Sequence, residues 1–529
     1  MQRHTFYFLF FLLFAGCGPD PAAPVERPRD PWVLRSVLDQ RPRMVTLALH
    51  ADGYAAYDAQ RCALYKIWRG GIRLDGAAYN DIKTVQPSTW GNTYWEAEEE
   101  EPLWTIERQG TRTPATPRFC GYRLDGQRLT FRYELETESS APITVFEEPE
   151  FLPWRGAAAP AFRQRFRTEG VPAGSAVYLG DTALPRNGTM TLRKKLPAVP
   201  PAAPPCRTAS ANSSQYWLDR SGCNTCHALE ARTTGPGYRA IAARYADDPT
   251  TVQQLARKVQ TGGAGAWGAV PMTPHPHLEL PDLERMVRYI LSLEPAAESD
   301  PAGRQSGGGG EEPSSPADAE GPPPGFGAPL AGVHPSYDLR TVRPADFRPR
   351  VGALDFLPDG RLLVATWDSV GGVYLLSGVT TGDSSRVQVK RIADGLHEPL
   401  GMKVVDGELF VLQKQELTQL IDHDDDGVID EYRAICNDFG ATADFHEYSY
   451  GLEYADGYFY ATLGLAMRLM SNEQQHPDRG TTIRIDRAGN WEIINEGLRQ
   501  PNGIGRGVDG ELFVTENQGQ WVPACKIIH

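Results

Sequence analysis

The chain is poor in sulfur, with 8 Cys and 8 Met in 529 residues. That excludes a scaffold stapled by many disulfides and makes the place of each thiol informative. Surplus positive charge is also missing. Lys and Arg number 53 against 67 Asp and Glu, a net charge of −14, which argues against nucleic acid as a partner. No basic amphipathic segment suggests adsorption to anionic lipid. The apolar run Thr5 to Ala15 is too short to span a bilayer comfortably, and no stop-transfer pattern follows it. The rest, 41% hydrophobic and 23% charged, is ordinary globular composition, enough for about three or four domains.

Against that background Cys223-Asn224-Thr225-Cys226-His227 stands out. Two thiols at this spacing can add to the two vinyl groups of one porphyrin, and the next residue offers an imidazole to the iron. A zinc half-site or a redox Cys-x-x-Cys are the alternatives, but no second Cys/His pair follows at zinc spacing and no βαβ pattern surrounds the motif. Covalent haem c is therefore expected, with Cys223 and Cys226 as thioethers and His227 as proximal ligand.

Such haem is attached outside the cytoplasm, and the N-terminus agrees. Residues 1–16 read as a signal peptide, with a basic start and an apolar core. Phe14-Ala15-Gly16-Cys17 resembles a bacterial lipobox, with Phe14 where Leu is usual; the resemblance implies a lipid on Cys17, a membrane anchor and a place in the cell envelope. The remaining thiols are Cys62, Cys120, Cys206, Cys436 and Cys525. Bridges Cys62–Cys120 and Cys436–Cys525 are open to them, with Cys206 left over.

Two biased stretches divide the chain. Residues 196–210 are Pro/Ala-rich and 297–332 are rich in Gly, Pro, Ser and Glu, so both read as linkers, the second a flexible tether. Segment 31–195 has strand patterns flanking Asp52-Gly53 and Asp125-Gly126, which predicts an antiparallel β-sandwich. Trp90, Trp95, Trp104 and Trp154 in it could stack on sugar rings or simply fill the core. Glu98 to Glu101 reads as a solvated loop.

Segment 211–296 is a small domain of its own. After the haem motif come Gly235-Pro236-Gly237-Tyr238, a helical pattern through Tyr245, the string Gly262 to Pro274, and a helix from about Leu280 to Leu293. This resembles the small bacterial class I cytochromes c, an all-α fold. The resemblance implies Met272 as distal iron ligand, Trp267 beside a haem propionate, and Gly235-Pro236 supporting the proximal His227. His275 and His277 are rival ligands, and a core methionine is the plain alternative for Met272. Two filled axial positions leave no site for O₂, so electron transfer is the expected role.

Segment 333–529 contains a repeat: a strand, an Asp-Gly turn and a second strand, with Asp-Gly at 359–360, 406–407, 456–457 and 509–510. A period of about 50 residues with one hairpin each predicts propeller blades. About four of an expected six fit, so the propeller is expected to be incomplete at its C-terminal side. Phe445-His446-Glu447-Tyr448-Ser449-Tyr450-Gly451-Leu452 and Gly497-Leu498-Arg499-Gln500-Pro501-Asn502-Gly503-Ile504 resemble two strings of PQQ-dependent glucose/sorbosone dehydrogenases. The resemblance implies His446 as general base, Arg499 and the residue at Gln500 as quinone contacts, and a sugar or alcohol substrate. Gln500 replaces the family's Asn. The plain alternatives are a structural histidine and a packing ion pair.

Asp422, Asp424, Asp426 and Asp430 lie in an Asp-x-Asp-x-Asp-Gly loop whose alternating carboxylates could converge on Ca²⁺. Arg433 stands where an EF-hand has Glu, so a short structural loop or a solvated acidic turn is expected. The reading that unites these features is an exported quinohaemoprotein dehydrogenase passing electrons to a downstream redox partner. The alternative is a non-catalytic carbohydrate-binding lipoprotein with a carrier cytochrome. A calcium-dependent lactonase is a third, with no carboxylate constellation found for it.

Overall fold

The computed structural model describes residues 27–197 apart from 52, 75–85, 99–102, 137–140 and 154–158; residues 227, 229, 232, 235–245, 249–265, 267–272 and 280–293; and residues 339–529 apart from 468–473 and 518–524. Cys17, Cys206, Cys223, Cys226, Trp154, His275 and His277 lie outside them. The chain forms two compact units, residues 212–345 with 381–387, and the remainder. Among the described residues no helix is long and apolar enough to cross a membrane.

The larger unit is almost all β. A first antiparallel sheet follows chain order: Trp32–Leu38, Arg41–His50, Gly53–Asp58, Ala63–Arg73, Ser88–Glu96. A small sheet is built around Trp104–Arg108 and Ser175–Leu179. A third begins Thr189–Lys195, Ala161–Glu169, Ile143–Leu152, Arg128–Glu136, Thr116–Asp125. Strand alternation sets the faces: in Ala161–Glu169 the buried Phe162, Gln164, Phe166 and Thr168 alternate with outward Arg side chains. Tyr57, Phe131, Tyr133, Val145 and Phe162 belong to one core shared by these sheets.

After residue 350 the chain makes four successive antiparallel meanders. Their first strands are Val351–Phe356, Gly401–Val405, Ser449–Ala455 and Pro501–Arg506. Each Asp-Gly pair sits between the first and second strands. Asp406 and Gly407, and Asp456 and Gly457, all have positive φ, the two-residue turn that matches strand twist. At 359–360 and 509–510 only the glycine is left-handed, within a longer loop. The first strands lie side by side, in a propeller-like order, because glycine permits it. A Cβ on Gly401 would lie 2.5 Å from the Gly451 carbonyl oxygen, and one on Gly352 2.3 Å from that of Pro399.

The sequence reading separates 31–195 from 333–529. The structure fuses them into one unit with one core. Thr116–Asp125 pairs antiparallel with Glu431–Cys436, the last strand of the second meander, so the third sheet continues to nine strands. Gly121 makes this close approach feasible, since a Cβ there would meet the Tyr432 carbonyl at 2.0 Å. Tyr122 and Tyr432 stack at 4.7 Å. On the first sheet, the Arg35 amide donates to the Gly395 carbonyl at 2.8 Å.

Neither of the two bridges left open by the sequence is formed. Cys62, Cys120, Cys436 and Cys525 are free thiols. Cys62 donates to the Ala59 carbonyl and Cys120 to that of Arg118, at 3.4 and 3.6 Å. Burial pushes the Cys120 thiol up to about 11 and Cys436 up to about 12, so neither is a ready thiolate.

In the smaller unit, helices α1 (Tyr238–Arg244), α2 (Pro249–Thr261) and α3 (Leu280–Leu291) pack on Tyr238, Val252, Ala256, Leu283, Met286 and Val287. Helix α2 is absent from the sequence reading. The Gly-rich string between α2 and α3 is no simple loop: Gly263–Gly265 pairs with Gly268–Met272, placing Met272 opposite Gly263. Gly262 and Gly263, at φ 70° and 109°, make the turn out of α2.

Candidate functional site

Of the residues expected at the haem, His227, Gly235, Pro236, Trp267 and Met272 are described. His227 donates its Nδ1–H to the Pro236 carbonyl at 2.7 Å. That bond fixes the tautomer and leaves Nε2 as the lone-pair nitrogen for a metal. A Cβ on Gly235 would fall 2.4 Å from Cε1 of the imidazole, so only glycine lets the chain pass so close. Tyr238 stacks on the imidazole at 5.6 Å. Three residues of the Gly-Pro-Gly-Tyr string thus meet one ring.

Met272 is half-buried at the end of its short strand. Trp267 precedes that strand, with the Arg244 guanidinium 4.6 Å from its ring centre and Tyr245 edge-on at 6.4 Å. Arg232 donates to the Trp267 carbonyl at 2.9 Å. Two guanidinium groups beside this tryptophan suit the carboxylates of a haem propionate. The donor set of one nitrogen and one thioether fits haem iron.

In the larger unit, the residues entering the first strands of the meanders form a second constellation. His446 is half-buried, its ring 5.4 Å from Tyr448, which stands edge-on to Trp367 at 5.9 Å. Its backbone amide donates to Asp444. The backbone amides of Arg499 and Gln500 both donate to the Glu516 carboxylate, at 2.8 and 2.9 Å. The Gln500 side chain is buried and makes two bonds, accepting from the Tyr450 hydroxyl at 2.7 Å and donating to the Leu465 carbonyl at 2.5 Å. These bonds tie it to the blade, and an amide has a second N–H and a second lone pair beyond them.

Sequence reasoning missed the best-buried members. Gly395-Leu396-His397-Glu398-Pro399-Leu400-Gly401 repeats, one hundred and two residues earlier, the pattern of Gly497 to Gly503, and the repeat was the available signal. His397 and Glu398 are only 1% and 2% exposed. Glu398 sits at φ 50°, a strained conformation for a side chain of this size, and its Oε2 is buried without a hydrogen-bond partner. Burial, offset by Lys414 and Arg479, raises its carboxyl to about 7. Burial and the Lys414 charge lower His397 to about 3, so it is a neutral ring. Beside them Arg479 pairs with Glu447 at 3.4 Å, both fully buried, and donates to the carbonyls of Gly440, Tyr448 and Lys414.

The acidic loop brings Asp422, Asp424 and Asp426 together, with ligand atoms within 4.8 Å of one another. Asp422 Oδ2 accepts from the Gly427 amide, while Oδ1 is buried without a partner. Asp430 stands outside this group and accepts from the His423 amide at 2.8 Å. Lys390 donates to the Asp426 carbonyl from the neighbouring meander. In the N-terminal segment Trp104 is a core residue, 2% exposed, donating to the Arg61 carbonyl at 3.0 Å. Trp95 is half-buried, with Lys194 4.1 Å from its ring centre.

Comparison with known proteins gives different relatives for different parts of the chain. Cytochrome c-551 of Allochromatium vinosum is 43% identical over 84 residues, 16% of this chain and 89% of that protein. Cytochrome c-552 of Hydrogenobacter thermophilus is 37% identical over 81 residues, 15% of this chain and 82% of that protein. Residues 358–526 match a family described as a domain of unknown function, DUF7133. A solved PQQ domain of the pyranose dehydrogenase from Coprinopsis cinerea is similar at 14% identity, covering 32% of this chain and 44% of that one, with a TM-score of 0.26.

Proposed function

The chain belongs, through its haem segment, to the family of cytochromes c-551 and c-552, and from that premise we propose an exported electron-transfer haemoprotein in which a propeller-borne oxidation site supplies a His/Met-ligated haem c. The observation that carries the reading is the His227 Nδ1–Pro236 bond of 2.7 Å, which prepares Nε2 for iron. Cys223 and Cys226 would hold the porphyrin, His227 and Met272 the metal. The haem supplies a one-electron carrier. A thioether ligand favours the reduced state and raises the potential, which suits an electron acceptor.

The second half of the reading is an oxidation of a sugar or alcohol hydroxyl. His446 is the group to take the hydroxyl proton, since an imidazole titrates near neutral pH. Arg499 is the group to hold an anion. PQQ would supply a two-electron acceptor, with Arg499 and Gln500 as the contacts that the string resemblance implies. Ca²⁺ at Asp422, Asp424 and Asp426 would brace the second meander. A lipid on Cys17 would anchor the protein in the envelope, where a downstream redox partner takes the electrons.

The test uses the full chain produced with haem. A reduced-minus-oxidised spectrum should show a c-type α band, and Met272→Ala should let the reduced protein bind CO where the parent does not. CO binding by the parent would overturn the His/Met assignment. Addition of PQQ, Ca²⁺ and a panel of sugars and alcohols should reduce the haem. An intact spectrum with no reduction by any of them would overturn the dehydrogenase half and favour a carbohydrate-binding role.

A further inference from the structure

Among the described residues, the row of meanders ends in two apolar sheet faces, one on the first meander and one on the fourth. In strand Val351–Phe356, Asp355 looks toward the second meander, where its carboxylate accepts from the Val404 amide at 2.7 Å. Ala353 points the same way and packs against the shared core. Alternation puts Leu354 and Phe356 on the opposite face, 53% and 57% exposed. The Phe347 ring covers Tyr374 on that face at 5.1 Å and leaves Leu354 and Phe356 open. The fourth meander shows the same division. Ile504 meets the third meander, since a Cβ on Gly451 would lie 2.6 Å from its Cγ2. Ile504 pairs with Val514, and Val514 with Ile528. Their neighbours Phe513 and Ile527 therefore look outward, 36% and 74% exposed.

Inside the row, faces of this kind are covered by the next meander. Leu363 and Ala365 of the first share one core with Met402 and Val411 of the second. Phe410 of the second meets Phe459 of the third at 4.5 Å. Repeat arrays end in polar outer faces, and propellers avoid ends by closing on themselves. At Leu354, Phe356, Phe513 and Ile527 both ends here are apolar instead. One end presents the face that meets a preceding meander and the other the face that meets a following one, so the two complement each other as successive meanders do. Association through two unlike faces either runs on as an open chain or closes into a ring. Two copies set head to tail close with four meanders each, eight in all, within the four to eight blades of propellers. Closure at two copies leaves no end face bare.

We propose that the chain pairs with a second copy of itself, the Leu354 and Phe356 face of each seated on the Phe513 and Ile527 face of the other. The pairing is independent of the redox reading. The test is sedimentation velocity and light scattering of the full chain produced with haem, over a range of concentrations. The parent should be a dimer. Phe356→Asp and Ile527→Asp each strike both contacts and should raise the dimer Kd about a hundredfold, with circular dichroism and haem spectrum unchanged. Val508→Asp, at a turn between the strands of the fourth meander, should leave the dimer intact. Mixed in equal amounts, Phe356→Asp and Ile527→Asp should associate again, because each keeps the face the other has lost. A general loss of folding would not be rescued in this way. A monomeric parent is the outcome expected if another part of the polypeptide covers both faces, and it would overturn the proposal. So would polymers larger than a dimer, dimers that survive both substitutions, or a mixture that stays monomeric.

Discussion

Arg35, on the first strand of the N-terminal sheet, meets Glu416 of the second meander in a two-point ion pair of 3.2 and 2.9 Å, with neither side chain more than 2% exposed. The partners are 381 residues apart. The Arg35 guanidinium also lies 5.0 Å from the ring centre of Phe119. A buried charge without its partner is costly, whereas an apolar pair of similar volume is often tolerated. Arg35→Ala should therefore destabilise the larger unit by roughly 3–5 kcal/mol. Arg35→Met combined with Glu416→Leu should recover most of that loss. Chemical denaturation of the three proteins measures it, and a cost near zero for Arg35→Ala would mean the seam is not tight.

Gly235→Ala tests the clamp on His227. The new methyl would sit 2.4 Å from the ring, so the imidazole must swing away from its bond to Pro236. The expected outcome is less haem per protein by pyridine haemochrome assay and a shifted midpoint potential. A variant with the parent's haem content and potential would show that the ring position does not matter.

Glu398 gives a pH dependence with a defined sign. Its folded pKa of about 7 lies above the ordinary 4.5, so its contribution to stability is full below 4.5 and is lost as pH rises through 7. Glu398→Gln should flatten the fall in Tm over that window and leave the variant more stable than the parent above pH 7. His397, lowered from 6.5 to about 3, works the other way: its contribution is present above 6.5 and lost toward pH 3. Unfolding curves measured across pH 4 to 8 separate the two, and identical slopes for parent and Glu398→Gln would remove Glu398 from the account.

Calcium should act on the Asp422 loop. Added Ca²⁺ should raise the unfolding temperature of the parent, by about 2.7 kcal/mol of stability at one hundred times its Kd. Asp424→Asn should abolish that gain, because Asp424 belongs to the cluster of three carboxylates. Equal gains in both proteins would place any bound ion elsewhere.

The strings that point to haem were legible because their chemistry is local. Cys-x-x-Cys-His, Gly-Pro-Gly-Tyr and the Pro-Met string are short, and the bond from His227 to Pro236 spans nine residues. The Asp-Gly turns were legible for the same reason, since a left-handed turn demands its residues at fixed positions. His397 and Glu398 were harder to see, since burial and orphaned atoms belong to packing, and only the repeated Gly-Leu-x-x-Pro-x-Gly string hinted at them. Whether these cysteines bridge stayed open in the sequence, because counting thiols says nothing about where their Cβ atoms point.

The sequence by itself determined a haem-bearing cytochrome segment between β-rich regions and the hairpin period of the propeller-like meanders. Tertiary structure alone decided that the two β regions are one body. Pairing Thr116–Asp125 with Glu431–Cys436 and burying Arg35 on Glu416 both join residues hundreds of positions apart. No local propensity encodes such contacts. They exist because a glycine at 121 admits a second backbone and because both faces bury more apolar surface together than either does alone.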